Sequence, residues 1–306
     1  MVQENFIKRK ILIICGPTAS GKTALSVECA KKLNSEIISA DSMNVYKELD
    51  IGTAKPTDAD KKGVEHHLID VVDKFGTFSV GDYRDIARPI IDRLLNNGKV
   101  PVVCGGTGFY INSIIYNLSY GEGSGDIELR KHYKNLAEKN GNLFVYDILK
   151  EKDPVTASKL HFNDIKRVIR ALEICHNGTL KSAIKDEIAP VYDYDAYMIK
   201  IDRSMLYDRI DRRVDLMIKA GLVDEVNTLI KSGVTIENQC MQGIGYKEIY
   251  SYLSGKISLE EAINAIKLNT HHYAKRQITF FKKLPNLKTI EYTDLETMSQ
   301  RIIDNL

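Results

Sequence analysis

Apolar residues fall along this chain in two rhythms. Ile11 to Cys15 is a short unbroken run rich in β-branched side chains; a Gly/Pro/Ser turn follows, then the amphipathic stretch Lys22 to Leu33, so strand, loop and helix are predicted in succession. Glu36 to Ala40 reads as a second strand, Arg84 to Leu95 as a helix stopped at Asn96-Asn97-Gly98, and Val100 to Cys104 as another buried strand closed by Gly105-Gly106. Strands alternating with helices predict a parallel sheet covered on both faces. The rhythm changes after about Tyr116. From there to about Asp195 the pattern is mostly helical, clearest at Lys131 to Lys139 and Ile165 to His176, and broken by Gly121-Glu122-Gly123-Ser124-Gly125. Residues 117–196 are therefore read as a helical insertion in a core made of residues 1–116 and 197–306. Tyr197 to Ile201 returns as a strand, and helices are predicted at Leu206 to Lys219, Leu222 to Lys231, Tyr246 to Leu253 and Leu259 to Lys283.

Composition narrows the class. With 306 residues, 43% of them hydrophobic, the chain can bury a large core plus a smaller one, which excludes fibrous and disordered proteins. No run approaches the roughly 18 apolar residues of a membrane span, and Met1 to Lys10 lacks a secretion signal, so a cytoplasmic location without membrane attachment is expected. Five dispersed cysteines suit reduced thiols rather than a disulfide framework or zinc. His66-His67 is set aside as a metal pair, because adjacent strand residues point to opposite faces. A net charge of +2 does not by itself advertise a polyanion partner.

Chemistry enters at Gly16-Pro17-Thr18-Ala19-Ser20-Gly21-Lys22-Thr23. This is an eight-residue phosphate loop of the nucleotide- and ATP-binding type, placed between an apolar strand and a helix start. Its backbone N–H groups can converge on phosphate oxygens, Lys22 adds a full positive charge, and Thr23 is a candidate Mg²⁺ ligand. The fold expected is thus α/β: a parallel sheet like that of P-loop NTPases, flanked by helices, with a mostly helical inserted domain and a helical C-terminal portion. The strand Val100 to Cys104 ends in glycines where such enzymes usually place a water-organising aspartate. Asp41 closes the neighbouring strand instead. In a parallel sheet the carboxyl ends of strands face one crevice, so Asp41 is read as a general base there, with a turn cap as the bland alternative.

Those residues, with Ala40-Asp41-Ser42-Met43-Asn44-Val45-Tyr46, Asp50-Ile51-Gly52-Thr53-Ala54-Lys55-Pro56, His66-His67-Leu68-Ile69-Asp70, Gly105-Gly106-Thr107-Gly108-Phe109-Tyr110, Asn163 with Arg167 to Glu173, Gln242-Gly243-Ile244-Gly245-Tyr246 and Ala274 to Thr279, occur in one order over roughly residues 11 to 283. The chain resembles the bacterial tRNA dimethylallyltransferases. The resemblance implies transfer of a dimethylallyl group from dimethylallyl diphosphate to N6 of adenosine 37, beside the anticodon of tRNAs that read codons beginning with U. It implies that Gly16 to Thr23 hold the diphosphate with Mg²⁺, that Asp41 is the base, that Ser42, Met43 and Asn44 contact the acceptor nucleotide, and that Thr107 lies in the reaction channel. It also implies a cationic group on the leaving diphosphate, from Arg203 or, preferentially, Arg209; a solvated helix face is the alternative, since aspartates interleave with these arginines. Further contacts to the anticodon stem-loop are implied for Arg130, Lys166, Arg167, Arg170, Gln242, Gly245 and Lys247. The enzyme is expected to act as a monomer.

Turning a stacked adenine into a pocket must be offset by RNA contacts. Ala262 to Ile290 contains no acidic residue, and Lys267, His271 and Lys275 recur every four positions, a stripe suited to following a phosphate backbone, with Arg276 beside it. Family members commonly carry arginine at His271, tryptophan at Phe280, arginine at Lys282, glutamine at Lys166 and leucine at Phe109. They also differ around Gly121 to Gly125. Tyr46, Tyr110 and Tyr246 could stack on bases, although core packing is the commoner use of tyrosine. The rival readings are a small-molecule kinase, a prenyltransferase acting on free adenine nucleotides, and a non-catalytic RNA-binding protein switched by phosphate. The first would release ADP from ATP, the second would use AMP, and the third would bind tRNA without turnover.

Overall fold

The computed structural model describes residues 10–118, 126–184 and 187–306; the glycine-rich Gly121 to Gly125 lies outside them. The chain divides into two compact units, Met1–Ile115 with Pro190–Leu306, and Tyr116–Ala189. The return to the first unit therefore comes at Pro190, ahead of residue 197, because the strand there starts at Asp193.

In the first unit the elements before the insertion are β1 (Lys10–Cys15), α1 (Lys22–Lys32), β2 (Ile37–Ala40), α2 (Asp58–Lys61), β3 (His66–His67), α3 (Val80–Asn96), β4 (Val102–Gly105) and α4 (Gly108–Ile115). In the insertion, β5 (Tyr116–Asn117) pairs with β6 (Glu187–Pro190), and α5 (Ile127–Asn140), α6 (Asn142–Lys152), α7 (Pro154–Ala157) and α8 (Ile165–His176) lie between them in sequence. After it come β7 (Asp193–Lys200), α9 (Arg203–Lys219), α10 (Leu222–Lys231), α11 (Tyr246–Leu253), α12 (Leu259–Phe281), β8 (Leu287–Glu291) and α13 (Leu295–Asp304).

Six strands form one sheet in the order β3-β2-β4-β1-β7-β8, with every neighbouring pair parallel. The central strand β1 is apolar from Ile11 to Cys15 because helices cover both its faces; Ile11, Leu12, Ile13 and Ile14 are each 0% exposed. Burial of each such side chain stabilises the fold by about 1.5–3 kcal/mol. Helix α3 starts four residues earlier than its apolar rhythm suggests. Ser79 and Asp82 form a reciprocal capping box that satisfies the first amide N–H groups. The strand order leaves the ends of β1, β2 and β4 side by side, which brings the phosphate loop, Asp41 and Thr107 together. Tyr46, Tyr110 and Tyr246 are all buried in this unit and belong to its core.

The insertion has its own core of Tyr133, Val145, Leu149, Val168 and Leu172, drawn from α5, α6 and α8. Among the described residues, no helix is long and apolar enough to cross a membrane.

Candidate active site

The phosphate loop leaves β1 at Cys15 and enters α1 at Lys22, with Ala19 held at φ 61°, a left-handed conformation that L-residues adopt only when their surroundings impose it. Ala19 packs on Leu206, Ile210 and Ala274, so α9 and α12 press the loop into shape. Ser20 Oγ donates to the Pro17 carbonyl at 2.9 Å, and Lys22 Nζ rests on the same carbonyl at 3.3 Å. Burial pushes the Lys22 ammonium below its ordinary pKa, while Cys104 and Asp41 pull it back up.

A cavity opens over this loop. Thr18, Lys22 and Thr23 form one wall, Asp41 and Asn44 another, and Thr53, Ala54 and Pro56 a third, with Cys104 and His66 also lining it. Asp41 Oδ1 accepts the Met43 N–H at 2.9 Å and the Asn44 N–H at 3.4 Å, the turn-capping role, which leaves Oδ2 without a protein hydrogen bond among the described residues. Capping and chemistry are thus compatible. Asn44 is buried and its Oδ1 has no partner. Thr107 Oγ1 accepts the Ser42 N–H at 3.0 Å, and the Thr107 N–H donates to the Ala40 carbonyl at 3.0 Å, so the turns after β2 and β4 are fastened together. Met43 packs on Gly243, which sets the Gln242 to Tyr246 segment behind that turn.

Two cationic positions need distinguishing. The Arg209 guanidinium lies 4.4 Å from the ring centre of Tyr292, and that ring reaches the loop at Gly21. Arg213, one turn further along α9, donates from Nη1 to Thr18 Oγ1 at 3.2 Å and lines the cavity. Burial lowers its pKa, opposed by the Asp41 charge, but a guanidinium remains charged. Arg203 lies over Tyr207 at 5.0 Å. Arg213 thus meets the loop directly at Thr18, and Arg209, the expected cation, meets it through Tyr292. Position 213 follows the buried Leu206 and Ile210 by seven and three residues, so the helical pattern puts it on the inward face.

Gln277 is a second residue that the sequence did not single out. Its Oε1 accepts the Thr18 N–H at 2.9 Å and its Nε2 donates to the Gly106 carbonyl at 3.0 Å. Gly106 must be glycine for this approach, because a Cβ there would lie 2.1 Å from Nε2. Tyr273, one turn before Gln277 on α12, is pushed up to about 12 by burial, with the Asp41 charge adding. The signal was present in the pattern: 273, 277 and 280 share one face of α12.

Other expected RNA contacts have internal uses. Lys267 pairs with Asp215 at 2.7 Å and His271 with Asp211 at 2.8 Å, and His271 stacks on Tyr207 with ring centres 4.0 Å apart. Of the stripe of Lys267, His271 and Lys275, the first two members thus face acids on α9, whereas Lys275 and the neighbouring Arg276 are exposed. In the insertion, Arg130 and Arg170 converge on the buried Glu173 at 2.6 and 3.3 Å, whereas Lys166 is exposed and Arg167 meets Asp164 at 3.4 Å. Gln242 donates to the Ile236 carbonyl, the Gly245 N–H donates to Glu248 at 2.8 Å, and Lys247 approaches the same carboxylate at 3.7 Å. Glu225 accepts the N–H groups of Asp50, Ile51 and Gly52 together with the Tyr246 hydroxyl, at 2.6–3.1 Å, and so holds the loop that leads to Thr53, Ala54 and Pro56. His66 lines the cavity while His67 turns away to Glu36 at 2.8 Å, as strand alternation requires. Glu36, Glu65 and His67 bring ligand atoms within 4.8 Å of one another, yet Arg93 and Lys99 also bind Glu36, which suits an ion-pair cluster rather than a metal.

With this geometry in place, comparison with known proteins decides the family. A profile described as IPP transferase matches residues 44–284. The chain belongs to the IPP transferase family. The tRNA dimethylallyltransferase of Acetivibrio thermocellus is 47% identical to this family member over 300 residues, covering 97% of this chain and 96% of that protein. The full-length tRNA isopentenylpyrophosphate transferase of Bacillus halodurans superposes with a TM-score of 0.74 at 40% identity, covering 97% of this chain and 95% of that one. A eukaryotic dimethylallyltransferase, captured acting on tRNA, superposes with a TM-score of 0.81 at 31% identity, covering 96% of this chain and 77% of that one. The IPP transferase assignment accounts for a phosphate loop whose sheet neighbour ends in glycine and whose acid stands one strand away.

Proposed function

We propose that this IPP transferase family member transfers a dimethylallyl group from dimethylallyl diphosphate to the N6 amine of an adenosine in the anticodon loop of tRNA, at position 37. The supporting observation is that one cavity holds the phosphate loop and an aspartate with an uncommitted carboxylate oxygen. The diphosphate lies on the loop amides with Lys22 and Arg213 as its cations. These charges stabilise the negative charge that develops as the bond from allylic carbon to oxygen breaks. The amine nitrogen forms the new bond to that carbon, diphosphate leaves as a unit, and Asp41 Oδ2 takes the proton that the amine sheds. Asn44 Oδ1, buried and unpartnered, supplies an acceptor for a hydrogen bond from the purine in this reading.

Thr23, exposed in the cavity wall, offers a hydroxyl oxygen of the kind Mg²⁺ prefers, and such an ion would share its coordination with diphosphate oxygens. It would supply charge neutralisation to the leaving group. The exposed Lys275 and Arg276, with Lys166 and Arg167 of the insertion, are the cations proposed for the RNA backbone. The deciding experiment supplies unmodified tRNA and radiolabelled dimethylallyl diphosphate and maps the labelled nucleoside. Label on N6 of adenosine 37 is expected; ADP release from ATP without label transfer would establish the kinase reading instead.

A further inference from the structure

Phe109 is 61% exposed although it stands two residues after Thr107, in the first turn of α4. Its ring meets Phe280 edge to face, with centres 5.5 Å apart and planes at 62°, and Phe280 rests in turn on the buried Phe281 at 5.7 Å. Gly108 makes room for this contact, since a Cβ there would lie 2.2 Å from the Phe280 ring. Phe109 is thus held from behind and open to water in front. The segment that buttresses it is cationic: Arg276, one turn before Phe280, and Lys282 and Lys283 just after it are all exposed. No acidic residue occurs between Ala262 and Ile290. A fixed aromatic face among cations is the pattern of a single-strand stacking platform.

Resting on the reaction proposed above, we propose that Phe109, buttressed by Phe280, stacks on a nucleobase of the RNA loop next to the purine that enters the site. Turning a base out of a stacked loop leaves its neighbour with a bare face, and a rigid ring beside Thr107 replaces the lost stacking whatever that neighbour's identity. Phe109 is a positioning residue in this reading.

The test uses the full-length protein and an unmodified anticodon stem-loop carrying 2-aminopurine beside the target. Wild type should quench the probe on binding; Phe109→Ala should abolish quenching and raise KM for the RNA roughly tenfold or more. In that variant kcat and KM for dimethylallyl diphosphate should change less than about twofold, and Phe109→Trp should restore both RNA readouts. A folded Phe109→Ala with wild-type quenching and RNA KM overturns the proposal, and so does an increase confined to KM for the diphosphate. Should the alanine variant fail to fold, Phe109→Leu gives the same comparison. Quenching by wild type but not by the alanine variant, without any transfer to RNA, would support the platform while refuting the reaction.

Discussion

Replacing Gln277 with leucine should loosen the protein and its donor site together. The side chain is 5% exposed, and leucine nearly conserves its volume, so little packing is lost. Two backbone groups lose their partners. The Gly106 carbonyl is buried and bears a full desolvation penalty, while the Thr18 N–H lies at a cavity wall that water reaches and bears part of one. Together these amount to a destabilisation of about 2–4 kcal/mol, at about 1–3 kcal/mol for each unsatisfied group. Urea unfolding of wild type and variant, followed by fluorescence and compared at unchanged m-value, measures it. In steady-state assays KM for dimethylallyl diphosphate should rise, because Thr18 is no longer held toward Gly106. A stability change under about 0.5 kcal/mol with an unaltered KM would refute the claim that this amide couples the two turns.

Four further outcomes follow from the site and its surroundings. Asp41→Ala should lower turnover by about 10²–10⁴ with tRNA affinity nearly retained, checked by single-turnover kinetics and filter binding; loss of binding alone would make Asp41 an anchor. Arg213→Ala should impair use of the diphosphate far more than Arg209→Ala, and the reverse order in kcat/KM would return the cationic role to Arg209. Neutralising Lys275 and Arg276 should flatten the salt dependence of tRNA binding, whereas Lys267→Ala should leave the slope unchanged because Asp215 already partners that charge. Burial opposes ionisation of Glu36, yet hydrogen bonds from His67, Lys99 and Arg93 hold its carboxyl down at about 2. Its folded pKa lies below the unfolded value, so its contribution is present above about pH 4.5 and fades as pH falls toward 2. Acid titration of stability should therefore be shallower in Glu36→Gln; equal slopes would disprove this.

The sheet was legible where runs were long and apolar. Ile11 to Cys15 and the helices Ile165–His176, Leu222–Lys231 and Tyr246–Leu253 announce themselves by period. Strand β8 did not: it is an edge strand with three exposed residues of five, and short edges carry little hydrophobic signal. Helix α4 was missed because Gly108 to Ile115 is buried on most sides and has no polar stripe to reveal a helical turn. In the site, Asp41 was readable because the end of β2 fixes its place, whereas Thr107 came from the family resemblance and is found bonded to Ser42 beside it. Arg213 and Gln277 were not readable, since their roles depend on how high along α9 and α12 the phosphate loop meets them. Lys267 and His271 looked like surface cations only because the acids facing them, Asp215 and Asp211, sit on a helix whose packing the sequence leaves open.

Glu225 has a consequence for which guests the cavity admits. A single carboxylate tethers three successive amides and a phenol, and the chain running on from that tether supplies Thr53, Ala54 and Pro56, one side of the chamber. That side hangs from α10, which has no lining residue of its own. It cannot recede unless the tether lets go, so the width of the chamber is kept by a residue that stands outside it.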